Sequence, residues 1–106
     1  MADEKKYRTF GLILLKSLIS GDKHIRGLID EFINTVEKDK NKRLEVSKGV
    51  YVVDGGVIAG HFDFYILCYS KDVELLEDFI LNFRMENSKA ISDSQTIVGV
   101  TFSEGI

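Results

Sequence analysis

The residues best placed to do chemistry lie in residues 57–66, "VIAGHFDFYI", where a histidine and an aspartate stand two positions apart. Asp63 falls near the start of an apolar strand, and an unpaired carboxylate is costly to bury there. Its partner can be the backbone N–H groups of the hairpin, a cationic side chain or the ammonium group of a ligand. The residues therefore leave two roles open for Asp63, that of a turn-stabilising group and that of a ligand contact.

The neighbours of Asp63 complete one candidate ligand site. Gly60 can take the positive φ of a tight hairpin at residues 59–61, and glycine also lets a ligand approach the backbone closely. His61 would share a strand face with Asp63, and Phe62 would point to the opposite face. Two hydroxyl side chains near the C-terminus, Ser94 and Thr96, can donate to a ligand carboxylate, although polar residues at a strand entry more often face solvent.

Other kinds of chemistry find little support. The chain has two histidines, and His24 starts a predicted helix, so His61 and Asp63 lack the further ligands of a closed metal site. Cys68 is predicted to be a small buried hydrophobe. We therefore predict no catalytic residue, no metal and no cofactor.

Alternating strand and helix patterns must position these side chains. A helix over about 23–39 carries one apolar stripe, with Asp22 as the candidate N-cap. A second helix opens at residues 71–72 with Asp72 as its cap, and ends at residues 87–88. Apolar or β-rich runs cover 7–19, 44–58, 62–70 and 94–102, and the glycines within the second run indicate a bulge or bend.

The order βαββαβ predicts the fold class. Two right-handed crossovers around a hairpin give an α+β, ferredoxin-like sandwich, an antiparallel four-stranded sheet with both helices on one face. A length of 106 residues corresponds to a single domain, residues 1–106.

Both faces of the predicted sheet are apolar. In the third strand one parity holds Phe64 and Ile66, and the other holds Tyr65 and Leu67. The helices can cover one face only, and large exposed apolar patches are rare on monomers. A second copy of the same sheet is the simplest cover, which predicts a homodimer in the form of a dimeric α/β barrel with an isologous interface.

Composition limits the partners. The formal net charge is −3, whereas nucleic-acid-binding proteins usually carry a basic excess. One cysteine forbids a disulfide framework within the chain and suits a reducing compartment. Nothing resembles a signal peptide, and the apolar run from Phe10 to Ile19 is about half the ~20 residues that span a bilayer. We expect a cytoplasmic protein that does not bind nucleic acid or membranes directly.

Three segments in order resemble one known family. They are "VIAGHFDFYI", with its pattern of glycine, any residue, aromatic and aspartate at Gly60–Asp63; "DVELLEDFI" in the second helix; and "ISDSQTIVGV", with hydroxyls at Ser94 and Thr96. Together they resemble the C-terminal effector-binding (RAM-type) domain of the leucine-responsive regulator/AsnC family of transcription factors, over about residues 7–102.

The resemblance implies a dimeric barrel, often assembled into higher oligomers, that binds a small effector such as an amino acid near the hairpin. It assigns Gly60, His61, Phe62, Asp63, Ser94 and Thr96 as ligand-binding residues. One departure is large: the family usually carries an N-terminal helix-turn-helix, and here six residues precede the first strand. We expect a regulator-like sensing domain without its own DNA-binding half, which can pair with full-length relatives.

Three other functions remain open. Dimeric α/β barrels also host small oxygenases and related enzymes, for which His61 and Asp63 are the candidate acid-base residues. A ligand-free assembly module for full-length relatives has the same sequence requirements. The amino-acid-binding ACT domain shares the βαββαβ order, but its glycine-rich turn after the first strand is represented here by Gly21 alone.

Overall fold

The computed structural model describes residues 7–106, which form five strands and two helices. The strands are β1 (Thr9–Ser17), β2 (Leu44–Ser47), β3 (Val50–Val57), β4 (Phe64–Ser70) and β5 (Ile91–Val100), and the helices are α1 (Asp22–Lys38) and α2 (Val73–Glu86). They make one sheet in the order β2-β3-β4-β1-β5, with every neighbouring pair antiparallel. An antiparallel sheet in an α+β fold is confirmed.

The prediction of a four-stranded sheet is wrong, because the run at 44–58 is two strands. A turn at Lys48 and Gly49 divides it, and Gly49 has a φ of 74°, which favours glycine. The Gly49 N–H donates to Glu45 Oε2 at 3.2 Å, which fixes the turn. The irregularity expected further along β3 is present, as the register with β4 shifts between Val52 and Asp54.

The connection between β3 and β4 is longer than the tight hairpin predicted at 59–61. It covers residues 58–63, and Gly60 has the expected positive φ, 125°. Asp63 comes just before β4 rather than inside it. Backbone hydrogen bonds hold the loop at both ends, from Ile58 N to Asp63 O at 3.0 Å and from Asp63 N to Leu15 O at 2.8 Å.

Each helix begins differently. Asp22 is not the N-cap of α1; Gly21 has that position without a side-chain cap, and Asp22 lies in the first turn, where an acid complements the dipole. Asp72 caps α2 as predicted, and its carboxylate accepts from Leu75 N at 2.9 Å. Such a cap contributes about 1 kcal/mol. Asn87 ends α2, also as predicted.

The core lies between the helices and one face of the sheet. Buried residues of α1 and α2 pack with alternate residues of the central strands, which include Ile13, Leu15, Phe64, Ile66 and Cys68. Every second residue is buried from Gly11 to Leu15 in β1 and along the whole of β4. Among residues 7–106, no helix is long and apolar enough to cross a membrane.

Candidate functional site

The face of the sheet turned away from the helices is apolar, and we call it the open face. Cross-strand partners share a face, and the register pairs Leu12 with Leu67 on one side and with Ile97 on the other. Leu14 is opposite Tyr65 in the same ladder. The open face comprises Phe10, Leu12, Leu14, Tyr65, Leu67, Tyr69 and Ile97.

Aromatic side chains of the strands themselves cover part of the open face. Phe10 packs on Tyr69, with ring centroids 6.2 Å apart, and its ring fills the space beside Gly99, where an added Cβ would come within 2.8 Å of Cζ. On β3, the ring centroids of Tyr51 and Tyr7 are 5.4 Å apart. The Arg43 guanidinium lies over the Tyr51 ring, with Cζ 4.7 Å from its centroid. The other residues of the open face are half-buried, and Ile97 is 45% exposed.

A polar group, the loop cluster, closes one end of the open face. It comprises Lys16, His61 and Asp93, which come from β1, the β3–β4 loop and β5. His61 Nε2 lies 3.0 Å from Asp93 Oδ2, and Lys16 Nζ donates to the His61 carbonyl at 3.3 Å. Lys16 and Asp93 are also cross-strand partners in the β1–β5 ladder. The cluster therefore links three segments that are far apart in sequence.

The electrostatics of the loop cluster are those of an exposed charge pair. The hydrogen bond from His61 holds the pKa of the Asp93 carboxyl below its usual value, and the Ser94 N–H that donates to its other oxygen acts in the same direction. The side chains of His61 and Asp93 are 61% and 53% exposed, so solvent reaches both. A ligand at this end of the sheet would meet an imidazole already oriented by a carboxylate.

Asp63 turns to the end of β1 instead. Its Oδ2 accepts from Ser17 N at 3.0 Å and from Ser17 Oγ at 3.3 Å, in a part-buried setting. The same hydroxyl lies 3.3 Å from Asp22 Oδ1, and since it has one proton it can donate to only one carboxylate at a time. Asp63 thus ties the loop to the end of β1, which is the turn-stabilising role left open by the sequence. A ligand contact by Asp63 stays a prediction.

The predicted hydroxyl pair lies elsewhere. Ser94 and Thr96 are opposite Leu15 and Ile13, on strand positions that face the helices, and they line a groove of about 370 Å³ beside α2. His61 instead pairs with Asp93, whose strand position faces away from the helices. Within a single chain, the fold therefore does not bring Thr96 together with the hairpin residues.

Sequence reasoning missed Lys16, Ser17 and Asp93. Each takes its role from the β1–β5 and β1–β4 registers and from the path of the β3–β4 loop, and no local spacing signals them. Two other residues have ordinary structural roles: Cys68 is a core residue, where burial raises the pKa of its thiol to about 12, and the exposed His24 pairs through Nε2 with Asn87 Oδ1 at 2.8 Å. Residues 7–106 contain no cluster of three or more histidine, cysteine, aspartate or glutamate side chains able to hold a metal ion.

No protein-family model matches this chain, and no curated protein matches it. Among solved structures, the crystal structure of PA3566 from Pseudomonas aeruginosa is similar, with a TM-score of 0.58 over 94% of this chain and 99% of that one. The two sequences are 10% identical. At that identity the likeness shows a shared fold and nothing about activity.

Proposed function

We propose that this chain is a homo-oligomeric sensing domain that binds a small molecule, an amino acid in the first instance, and acts through its state of assembly. The observation that carries the proposal is the apolar open face, since the helices cover only the other side of the sheet. Such a domain regulates through its state of assembly and can assemble with full-length relatives.

Assembly follows from the shape and chemistry of the open face. Two copies related by a two-fold axis would place Leu12 and Leu67 of one copy against the same residues of the other, at the ~10 Å spacing of packed sheets. The pairing makes a dimeric α/β barrel. An interface of standard size buries about 800 Å² per partner, and the open face extends over at least three adjacent strands.

Ligand sensing is supported by the resemblance to the leucine-responsive regulator/AsnC effector domain and by the position of the loop cluster. Lys16, His61 and Asp93 lie where the rim of a face-to-face dimer would fall. Both signs of charge are present there, as a zwitterion requires. A ligand that binds the dimer better than the monomer shifts the assembly equilibrium by mass action.

An enzyme is the second candidate, and the His61–Asp93 pair favours it. A carboxylate that orients an imidazole gives a group positioned to accept a proton from a bound substrate. The enzyme reading requires turnover that is lost in His61→Ala, whereas the sensing domain requires binding without turnover.

Light scattering tests the assembly. We expect a mass at least twice the 12.0 kDa of one chain at micromolar concentration. Leu12→Glu places a carboxylate at the centre of the open face and should yield monomers, while Leu81→Glu, at a position of α2 that is 57% exposed, should not. A monomeric parent chain would rule out the dimeric α/β barrel.

Thermal shift with the common amino acids tests the sensing. A ligand at 100 times its Kd stabilises the folded state by about 2.7 kcal/mol. If the parent chain is oligomeric and none of the amino acids shifts its unfolding, the amino-acid sensor is ruled out and the ligand-free assembly module replaces it.

A further inference from the structure

A groove of about 540 Å³ lies between α1 and the second half of β3, on the helix side of the sheet. Volumes of roughly 300–1,000 Å³ are typical of small-molecule sites. The α1 wall consists of positions i, i+3, i+4, i+7 and i+10 of one helix side, namely Lys23, Arg26, Gly27, Asp30 and Ile33. The other wall is formed by Gly55, Gly56 and Val57, and Phe64 and Ile29 lie at the bottom.

Two glycines, one on each wall, shape the groove. A Cβ added at Gly27 would meet no atom within 4 Å, so packing does not require glycine there, although glycine costs about 1 kcal/mol in a helix interior. A Cβ at Gly55 would come within 3.0 Å of Ile29 Cγ2 and 3.2 Å of the Tyr65 carbonyl oxygen, so glycine there allows the close packing of α1 on β3. Gly27 thus lowers helix propensity at a position where a side chain would fit, and it leaves open space on the α1 wall of the groove, whereas Gly55 allows the close contact between α1 and β3.

The sheet edge beside the groove is open as well. Within the described residues, β2 pairs only with Val50–Val52, so residues 53–57 of β3 have no neighbouring strand on that side. Val57, in this stretch, is 61% exposed. An apolar wall and unpaired strand backbone therefore meet at the mouth of the groove.

The mouth of the groove carries both cationic and acidic side chains, and Arg26 is held in place there. The Arg26 guanidinium lies over the Phe64 ring, with Cζ 5.2 Å from the centroid, and its Nε donates to Asp22 Oδ2 at 3.4 Å. These two contacts position the side chain and leave its terminal N–H groups for another acceptor. The ion pairs within residues 7–106 are Arg26–Asp22 and His61–Asp93, so Lys23 and Asp30 have no ionic partner there.

We propose that this groove binds a small carboxylate with a branched or aromatic apolar body. The carboxylate meets Arg26 and Lys23 in charge-assisted hydrogen bonds. The apolar body lies between Ile33 and Val57, above Phe64. This assignment goes beyond the proposed sensing function, because it adds a second ligand site on the helix side of the sheet, away from the loop cluster and the open face.

Asp30 distinguishes the two sources of such a carboxylate. It follows Arg26 by one helical turn on the same wall, where it can accept from an ammonium group. An α-amino acid with an apolar side chain uses Arg26, Lys23 and Asp30 together, whereas a plain carboxylic acid uses the two cations alone. The presence of an acidic side chain beside the cations also disfavours a polyanionic ligand.

Calorimetric titration of the full chain tests the assignment with L-leucine, L-phenylalanine and their counterparts lacking the amino group, 4-methylpentanoate and 3-phenylpropanoate. We expect at least one of the four to bind, and the matched amines, 3-methylbutylamine and 2-phenylethylamine, to bind more weakly. Gly27→Leu fills the groove and should abolish binding while raising thermal stability, because leucine is the better helix former. Arg26→Gln should weaken binding about ten-fold or more, as expected for a lost charged hydrogen bond, and Lys40→Gln, a cation removed outside the groove, should not.

The outcomes separate the groove from the sensing function. Asp30→Asn should weaken leucine or phenylalanine and leave the plain acids unaffected, if amino acids are the ligands. Absence of binding by all four carboxylates at millimolar concentration overturns the groove, as does binding that survives Gly27→Leu. Binding that survives Gly27→Leu but is lost in Asp63→Asn would place the ligand at the hairpin and leave the sensing function standing.

Discussion

The carboxylate of Asp63 offers the most direct quantitative test of the structure. Its Oδ2 is the acceptor for the Ser17 N–H at 3.0 Å, at the point where β1 ends. Replacing Asp63 by alanine leaves that part-buried N–H without its acceptor, and hydrogen bonds to charged groups contribute roughly 1.5–3 kcal/mol. The bond to Ser17 Oγ, at 3.3 Å, adds little, since the hydroxyl can turn to Asp22 instead.

A second effect reduces the cost. Asp22 and Asp63 both approach the Ser17 hydroxyl, and removing one of two like charges relieves their repulsion. We therefore expect Asp63→Ala to lower the free energy of unfolding by about 1.5 kcal/mol, near the lower end of the range. For a domain of this size that corresponds to a fall in Tm of roughly 6–12 °C. Asp63→Asn retains an acceptor oxygen and should cost about 1 kcal/mol.

Urea unfolding followed by circular dichroism measures these differences. Ser17→Ala keeps the backbone N–H and should cost less than Asp63→Ala. Asp78→Ala, on the exposed side of α2, is a surface control for which a change within about 0.5 kcal/mol is expected. An Asp63→Ala variant as stable as this control would show that the loop is held by its backbone hydrogen bonds alone.

Two further predictions follow from titratable groups. The Cys68 thiol is buried and its pKa is raised to about 12, so a thiol reagent at pH 8 should label the native chain far more slowly than the urea-unfolded chain; equal rates would contradict the burial. The pKa of Asp93 is lowered chiefly by the hydrogen bond from His61, so its stabilising contribution is present at neutral pH and is lost as the pH falls through the lowered value. In His61→Ala the pKa of Asp93 should rise toward its ordinary value in a carboxyl NMR titration, and an unchanged titration would exclude the pair in solution.

Periodicity was sufficient for the parts of the fold that depend on local pattern. The apolar stripe of α1, the Asp72 cap and the positive φ of Gly60 all follow from side-chain type and spacing. The Lys48–Gly49 turn was missed although Gly49 is a turn signal, because the apolar residues on both sides continue the same β pattern. Without that turn, β2 and β3 were predicted as one strand, so four strands were expected where the structure has five.

The candidate site was less accessible from sequence for a physical reason. His61 meets Asp93 across 32 positions, and Asp63 meets Ser17 across 46, so both contacts depend on strand order and register. The spacing of His61 and Asp63 indicated one shared face, but the strand begins after Asp63 and the two side chains serve different partners. The groove beside α1 was equally hidden, since Gly27 and Gly55 lie in separate elements and each alone signals only a weak propensity.

The strand order also affects how the chain can fold. β1 is synthesised before the other strands, yet it lies in the interior of the sheet between β4 and β5, and Thr9 pairs with Val100, in the last strand. Both neighbours of the apolar β1 are therefore present only after almost the whole chain has been synthesised. Contacts of such high sequence separation slow folding, because a long loop must close before they form. The β3–β4 pair is local and can form early, whereas β1 has no neighbouring strand until β4 has been synthesised, which makes β1 a natural target of a holding chaperone.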